Sequence, residues 1–313
     1  MIRATNLTRK YGAFTAVDSI SFEIPRGQIV GLLGHNGAGK TTTLKMLTGY
    51  LEPTEGEVEI AGLSVLNDLL SVQGKIGYLS EQSPLYPEMT VWQYLYYVAE
   101  MRGVAAPRIG DAVREAIRAT DLGKKAEDLI TTLSRGYQQR VGVAQAIIHK
   151  PEILILDEPT NGLDPTQIMA MRQLIQNLSR NATVILSTHI LQEVEAICDR
   201  VIIILNGRIA IDSSLGALQQ ENSLKISLRE DLASVKQTLE SVSGVHSVAP
   251  LSSSDSLNHF SVRITGDYDA VAPHIAKAVV NKGWNLYRLE GEHRDLESVF
   301  NEVNRVSKGV AHV

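Results

Sequence analysis

The stretch LSRGYQQRVGVAQAIIHKPEILILDEPTNGLD, residues 133–164, contains the apolar run ILIL followed directly by two acidic residues. Upstream of it lies GHNGAGKTT, residues 34–42, which fits the pattern G-x-x-x-x-G-K-[ST] at every fixed position. That loop follows residues 28–33, which are apolar from residue 29 onward, and precedes helical spacing from residue 41. The order strand, glycine-rich loop, helix is the context in which this pattern binds nucleotide phosphates.

The glycine-rich loop suits phosphates because glycine adopts positive φ and lets backbone N–H groups approach phosphate oxygens. Lys40 supplies a point charge for the β- and γ-phosphates, and Thr41 offers a hydroxyl to Mg²⁺. The helix that starts near Lys40 adds the positive end of its dipole. A glycine-rich turn without a ligand is the alternative. The candidate nucleotide-binding residues of the loop are Gly34, Asn36, Gly37, Ala38, Gly39, Lys40, Thr41 and Thr42.

The acidic pair at the end of residues 153–156 supplies groups that a phosphate cradle lacks. Asp157, at the carboxyl end of an apolar strand, can hold Mg²⁺, often through water, and Glu158 can then polarise the attacking water. An acidic pair after a strand can also merely cap the next helix. The surrounding motifs decide between these two interpretations.

Five further motifs accompany the loop and the acidic pair. They are LSRGY (residues 133–137), NGLD (161–164), STH ending at His189, GYLSEQ ending at Gln82, and RKYG containing Tyr11. In their order along the chain, the motifs resemble those of the nucleotide-binding subunits of ABC transporters, over roughly residues 2–216. That family names them the signature motif (usually LSGGQ), the D-loop, the switch histidine, the Q-loop and the aromatic residue that stacks on adenine.

The resemblance implies an ATPase that uses ATP and Mg²⁺. Its catalytic residues are expected to be Lys40, Gln82, Glu158 and His189, and its metal ligands Thr41, Gln82 and Asp157. Each of three assignments has a structural alternative. Tyr11 is alternatively a half-exposed aromatic residue of a strand, Gln82 a residue of a surface loop, and His189 a structural histidine.

The resemblance also implies a dimer of ATPase subunits. In such a dimer Ser134 and the backbone of Gly136 meet the γ-phosphate of ATP held by a second copy, and Asp164 links the two sites. Arg135 and Tyr137 depart from the glycine and glutamine that the family usually has there. The hypothesis that Arg135 adds a charge contact beside the sandwiched nucleotide stays open.

The predicted fold class is α/β, with two domains. The expected first domain, residues 1–220, is a P-loop NTPase core of the ABC ATPase type with an antiparallel β subdomain and a helical insert at about residues 86–150. Residues 221–313 are expected to form a C-terminal accessory domain. Its pattern of β-α-β-β-α-β elements, with a serine-rich turn at residues 252–256 and a last strand at 285–289, is typical of an α+β ferredoxin-like domain.

Composition and hydropathy limit the classes of partner that this chain is expected to have. With 313 residues, 44% of them hydrophobic, and a net charge of -5, the chain has the composition of a globular protein without a global basic field. No nucleic-acid partner is therefore expected. The most apolar run, residues 201–205, is much shorter than the ~20 residues that span a bilayer. A polytopic membrane permease is therefore expected as a separate chain, beside a second copy of the ATPase subunit.

These observations predict an ATPase subunit in the cytoplasm, peripheral on the inner face of the cell membrane through its permease. Export is favoured by the basic Arg135 and by the tail at residues 295–300, which resembles a motif of exporter-type ATPases. The aromatic residues near the Q-loop are either core or a permease docking surface. The main alternative function is a soluble ABC-type ATPase that acts on nucleic acid or ribosomes, and a regulatory module without turnover is a second.

Overall fold

The computed structural model describes residues 1–219, 223–254, 257–266, 268–291 and 296–309. The chain divides into two compact units, one of Met1–Leu215 with the chain from Val303, and one of Gly216–Glu302. The predicted domain boundary between residues 220 and 221 lies outside the described residues.

The first unit contains ten strands and seven helices among its described residues. The strands are β1 (Ile2–Tyr11), β2 (Phe14–Ile24), β3 (Ile29–Leu33), β4 (Glu55–Ile60), β5 (Leu63–Ser64), β6 (Ile76–Leu79), β7 (Ile153–Asp157), β8 (Thr183–Thr188), β9 (Arg200–Leu205) and β10 (Arg208–Ser214). The helices are α1 (Lys40–Leu47), α2 (Leu69–Gln73), α3 (Val91–Met101), α4 (Ile109–Ala119), α5 (Arg135–Ile147), α6 (Pro165–Ser179) and α7 (Leu191–Ile197). A short helix α8 (Leu215–Gln219) follows.

The central sheet has the strand order β10-β9-β3-β8-β7-β6, in which only the edge strand β10 runs antiparallel to its neighbour. Strands β3, β7 and β8 are buried along their whole length, as expected for parallel strands covered on both faces. Leu33 pairs with Thr188, and Asp157 pairs with Ser187. The carboxyl ends of the three strands therefore meet at one edge of the sheet.

A second, antiparallel sheet has the order β2-β1-β4-β5. One apolar cluster includes residues of this sheet, of the central sheet and of α1. Its members include Leu7, Val58, Leu32, Ile155 and Leu44. This cluster holds α1 against the central sheet through its carboxyl half, at Leu44, Met46 and Leu47.

Helices α3, α4 and α5 pack around an apolar cluster of their own, which includes Leu95, Val113 and Val141. Helix α3 begins with a capping box, in which Thr90 Oγ1 accepts from the Gln93 backbone and the Gln93 side chain accepts from the Thr90 backbone. This region is the helical insert that the sequence predicted. No helix in the described part of the chain is long and apolar enough to cross a membrane.

The second unit contains β11 (Ser223–Leu228), α9 (Leu232–Leu239), β12 (Val245–Ser254), β13 (Leu257–Ile264), α10 (Tyr268–Asn281) and β14 (Arg288–Gly291), and α11 (Leu296–Gly309) begins in it. Its antiparallel sheet has the order β12-β13-β11-β14, the arrangement of a ferredoxin-like domain. The predicted fold class is confirmed. The predicted turn at residues 252–256 was wrong in its first part, because β12 continues to Ser254 by pairing with β13.

Candidate functional site

The glycine-rich loop connects β3 to α1 at the carboxyl edge of the central sheet. Gly39 has φ 109°, and a methyl group there would lie 2.7 Å from the Ala16 carbonyl oxygen. A methyl group at Gly34 would overlap the carbonyl oxygen of Ile204. The loop backbone thus packs closely against β2 and β9, and residues with side chains would strain it.

Lys40, the first residue of α1, is only 5% exposed. Its ammonium group donates to the carbonyl oxygens of Gly34 at 2.8 Å and His35 at 3.3 Å. It also lies 3.4 Å from Glu158 Oε1. A buried ammonium needs such partners, and these partners place its charge inside the curve of the loop.

Asp157 ends β7 and is fully buried. Its Oδ1 accepts from Ser187 Oγ at 2.5 Å and from Thr41 Oγ1 at 3.3 Å. Its Oδ2 is also buried and has no hydrogen-bond partner among the described residues. Burial is the main reason that the pKa of Asp157 is raised above its usual value.

This environment is suited to Mg²⁺. A buried carboxylate oxygen without a protein partner is costly, and a divalent cation satisfies it. Thr41 places a hydroxyl oxygen on the other side of the same carboxylate. Oxygen ligands of this kind, completed by water and phosphate oxygens, are those that Mg²⁺ prefers. The residues present therefore fit the predicted metal.

Glu158 follows Asp157 and has φ 49°, which is uncommon for a residue with a side chain. Its backbone N–H donates to the Oγ and the carbonyl oxygen of Ser187, at 3.0 and 3.1 Å, and these contacts hold the turn. The Glu158 side chain contacts His189 Nδ1 through Oε2 at 2.9 Å and approaches Lys40 through Oε1. A strained residue held this firmly is typical of a functional site.

His189 follows β8, and 42% of its side chain is exposed while its Glu158 partner is almost completely buried. The Thr188 hydroxyl accepts from the Ile190 N–H at 3.0 Å and shapes the turn between β8 and α7. The structure thus brings Lys40, Asp157, Glu158 and His189 together at one sheet edge. Sequence reasoning gave no role to Ser187, the first residue of the STH motif, although its hydroxyl donates to Asp157 Oδ1 and accepts from the Glu158 N–H.

Gln82 is exposed and has no direct side-chain contact with the acids among the described contacts. It shares with Thr41 and Asp157 a cleft of about 910 Å³ that extends to α3. Tyr78 also lines this cleft, and burial raises the pKa of its hydroxyl. Tyr78 was not predicted as a site residue, although it lies in the GYLSEQ motif, because only Gln82 of that motif was assigned a role.

Tyr11 lies at the end of β1, and its ring is 48% exposed. The guanidinium of Arg9 lies over this ring, 4.8 Å from its centroid. The structure therefore places Tyr11 on the surface of the antiparallel sheet, with an accessible ring.

The signature segment, Leu133–Tyr137, leads into α5, and the D-loop, Asn161–Asp164, leads into α6. Ser134 is exposed, and its side chain makes no capping hydrogen bond to α5. Asp164 caps α6, because its Oδ1 accepts from the Gln167 N–H at 2.9 Å. The ring centroid of Tyr137 lies 6.0 Å from Lys125 Nζ and 5.9 Å from Arg140 Cζ.

Comparisons with known proteins agree with this geometry. The family model described as "ABC transporter" matches residues 17–161. "Bacitracin transport ATP-binding protein BcrA" of Bacillus licheniformis is 38% identical over 224 residues, which are 71% of this chain and 72% of that protein. "Linearmycin resistance ATP-binding protein LnrL" of Bacillus subtilis (strain 168) is 35% identical over 208 residues, 66% of this chain and 67% of that protein.

Solved structures give the same result. One is described as "Dimeric structure of a post-hydrolysis state of the ATP-binding cassette MJ0796 bound to ADP and Pi". It is 26% identical, with a TM-score of 0.63, over 69% of this chain and 99% of that one. The shared region thus corresponds to most of one whole cassette.

Proposed function

The chain belongs to the ATP-binding subunits of ABC transporters, and from that premise we propose that it drives a separate membrane permease in the direction of export. Its reaction is ATP hydrolysis. The working species of the proposal is a dimer whose subunits close over ATP and open after hydrolysis. The proposal places the dimer in the cytoplasm, on the inner face of the cell membrane.

One observation carries the hydrolytic part of the proposal: the Glu158 carboxylate lies between Lys40 and His189, next in the chain to the buried carboxyl group of Asp157. In phosphoryl transfer to water, catalysis comes mainly from positioning and from charge placed near the γ-phosphate. These four side chains supply a base, two groups that stabilise negative charge, and a metal ligand within one small region.

The roles follow from these positions. The loop N–H groups and Lys40 bind the β- and γ-phosphates, and Glu158 orients the attacking water and accepts its proton. His189 holds Glu158 in place and faces the charge that develops on the γ-phosphate. Thr41 and Asp157 would hold Mg²⁺, and Gln82 lines the same cleft. When bound, Mg²⁺ neutralises charge on the phosphate oxygens.

The signature segment acts on the ATP of the second subunit in this proposal. Ser134 is exposed, and the first turn of α5 has no side-chain cap, so its hydroxyl and backbone N–H groups are accessible to a phosphate. Gly136 is buried beside them. The dimeric solved relative supports this arrangement.

The cleft next to Gln82 is the proposed docking surface for the permease. Tyr50 and Met101 line this cleft with exposed side chains, and Tyr97, on the same helix as Met101, is also exposed, whereas Tyr94 of that helix is buried in the insert. Exposed aromatic and methionine residues are typical of protein interfaces. Thr41 and Asp157 also line the cleft, so movement of a docked segment would shift residues that contact the nucleotide site.

Export is supported by the relatives named for bacitracin transport and linearmycin resistance. Neither name identifies the cargo of this chain. An export test uses inside-out membrane vesicles that contain the chain and its permease. ATP-dependent accumulation of a labelled compound inside such vesicles is the result expected, and accumulation only in right-side-out vesicles would contradict export.

Copurification tests the permease. The tagged chain, extracted in detergent without nucleotide, should recover a polytopic membrane protein. Met101 and Met169 form a matched pair because they are 70% and 69% exposed on different helices. Met101→Asp should lose the membrane protein, and Met169→Asp should retain it. Recovery with ribosomes or nucleic acid in place of a membrane protein would support the alternative function.

A further inference from the structure

The side chain of Arg135 lies on the D-loop of its own chain. A methyl group built on Gly162 would lie 2.6 Å from Arg135 Cζ and 2.8 Å from both Nε and Nη1. Because the three distances are almost equal, that point lies over the flat face of the guanidinium. Gly162 also has φ 73°, where glycine is favoured. A residue with a side chain at Gly162 would displace Arg135.

A second contact repeats this arrangement in the opposite direction. A methyl group built on Gly136 would lie 2.7, 2.8 and 3.0 Å from Cδ, Oε1 and Nε2 of Gln167. The flat amide of Gln167 therefore faces Gly136. The signature segment supplies Arg135 and Gly136, and the D-loop region supplies Gly162 and Gln167. Each side contributes one planar side chain and one glycine that makes room for it.

The D-loop has further contacts that hold it in this position. The Gln167 Oε1 accepts from the Asp164 N–H at 3.4 Å, so the amide that faces Gly136 also completes the capping box of α6. Asn161 Nδ2 donates to Glu81 Oε1 at 3.5 Å, next to Gln82. The D-loop thus lies between the Q-loop and the signature segment of the same chain.

We propose that Arg135 and Gln167 are positioning residues that fasten the D-loop to the signature segment of the same chain, so that both approach the second subunit's ATP as one unit. The proposal rests on the dimer of the proposed function. It differs from a charge contact between Arg135 and nucleotide, since it depends on the flat face of the guanidinium against Gly162 and not on its charge. Lysine has no planar group and cannot replace it in such a contact.

Hydrogen–deuterium exchange on the nucleotide-free full chain tests the contact without requiring a dimer. The amides of Leu163 and Asp164 are hydrogen-bonded within the D-loop region. Arg135→Ala should increase their exchange rates about fivefold, because lost packing favours local opening. Arg135→Lys should behave like Arg135→Ala, and Arg180→Ala, at an exposed arginine after α6, should change nothing. Unchanged D-loop exchange in Arg135→Ala, or full protection in Arg135→Lys, overturns the proposal.

A double-mutant cycle tests the second contact in ATP-dependent dimers of the full chain carrying Glu158→Gln. Gly136→Ala should raise the ATP concentration for half-maximal dimerisation about tenfold, within the range of coupled contacts. Adding Gln167→Ala should return it to within about threefold of the Gln167→Ala variant, because space for the methyl group is restored. If the effects of Gly136→Ala and Gln167→Ala simply add in the double variant, Gly136 serves only the nucleotide, and the proposal is overturned.

The two experiments separate this proposal from the proposed function. If the Glu158→Gln chain forms no dimer with ATP, the dimer mechanism fails, while the exchange experiment still decides whether Arg135 fastens the D-loop. If the dimer forms but the cycle shows no coupling, only the positioning role fails. The affinity of each monomer for ATP, measured by calorimetry, should stay within about twofold throughout, since Lys40 and the loop are untouched.

Discussion

The two halves of the proposed ATP site are built differently. Lys40, Asp157 and Glu158 are almost completely buried and contact one another or shared neighbours within one chain. Ser134 is exposed, and the first turn of the helix after it has no side-chain cap. The first half is preorganised before any partner arrives, whereas the second is a surface that needs one. Binding of ATP and its hydrolysis should therefore be separable by mutation.

The largest expected effect is that of Glu158→Gln in the preorganised half. Turnover should fall about 10³-fold because a base that activates water is lost, while ATP still binds the loop and Lys40. Closed dimers should accumulate with ATP. Steady-state ATPase assays and analytical ultracentrifugation measure the two outcomes. Glu195→Gln, an exposed acid on α7, is the control and should keep its turnover. Normal turnover in Glu158→Gln would falsify the assigned role.

His189→Ala should lower turnover about 10²-fold, because it removes both the partner of Glu158 and a group facing the γ-phosphate. The drop should be in kcat, with KM changed little, since the loop binds the ground state. His274→Ala, at an exposed histidine in the second unit, should have no effect. A loss confined to KM would instead make His189 an ATP-binding residue.

Ser134→Ala changes the exposed half of the proposed ATP site, which needs a second subunit, and therefore tests the difference between the two halves directly. Turnover and ATP-dependent dimerisation should fall about tenfold, the loss of one hydrogen bond to a charged group. ATP affinity of the monomer should not change. Ser179→Ala, whose hydroxyl bonds to the Gln176 carbonyl at the end of α6, is the matched control. Weaker ATP binding by the Ser134→Ala monomer would contradict the division into two halves.

Tyr11→Ala should weaken ATP binding by the monomer about fivefold, because stacking of a base on an aromatic ring contributes about 1 kcal/mol. Tyr11→Phe keeps the ring and should bind like the unmodified chain. Titration calorimetry with ATP and with an inorganic triphosphate distinguishes the cases. Equal losses for both ligands would show that Tyr11 does not contact adenine.

The smallest expected effect is on stability. Burial is the main reason that the pKa of Asp157 in the folded chain is raised above 3.8. At pH values between 3.8 and the raised pKa the folded state binds more protons than the unfolded state. The free energy of unfolding therefore falls as pH rises through this range. Asp157→Asn removes this cost and should raise the free energy of unfolding of the metal-free protein at pH 7. The gain should shrink as pH falls toward 4. Thermal unfolding in a chelating buffer checks it, and destabilisation at pH 7 would contradict the raised pKa.

Strands of the central sheet could be predicted because burial on both faces leaves a continuous apolar run, as in β3 and β7. Strand β4 was missed, since only Val58 and Ile60 of its six residues are buried and glutamates occupy three positions. The predicted last strand at residues 285–289 begins later, at Arg288, where pairing with β11 starts. The position of β4 and the start of β14 depend on the strands with which they pair, and the local pattern of residue types does not encode that pairing.

The candidate site could be predicted where a motif has a fixed spacing, as in the loop and the acidic pair. The roles of Gln82 and Tyr11 stay predictions. The hypothesis that Arg135 contacts nucleotide arose from charge alone, whereas the structure places its guanidinium on Gly162. Ser187 and Tyr78 lie inside the STH and GYLSEQ motifs but were given no role, and only their distance from Asp157 or their place in the cleft reveals one.

The sequence by itself determined the phosphate loop, the acidic pair after an apolar strand and the family, because these depend on residues close together along the chain. Only the tertiary structure decided which side chains meet across it. The contact of His189 with Glu158 spans 31 residues. The contacts of Arg135 with Gly162 and of Gln167 with Gly136 join α5 to the D-loop and to α6. Such contacts depend on how strands pair and helices pack, and no local pattern of residue types specifies that packing.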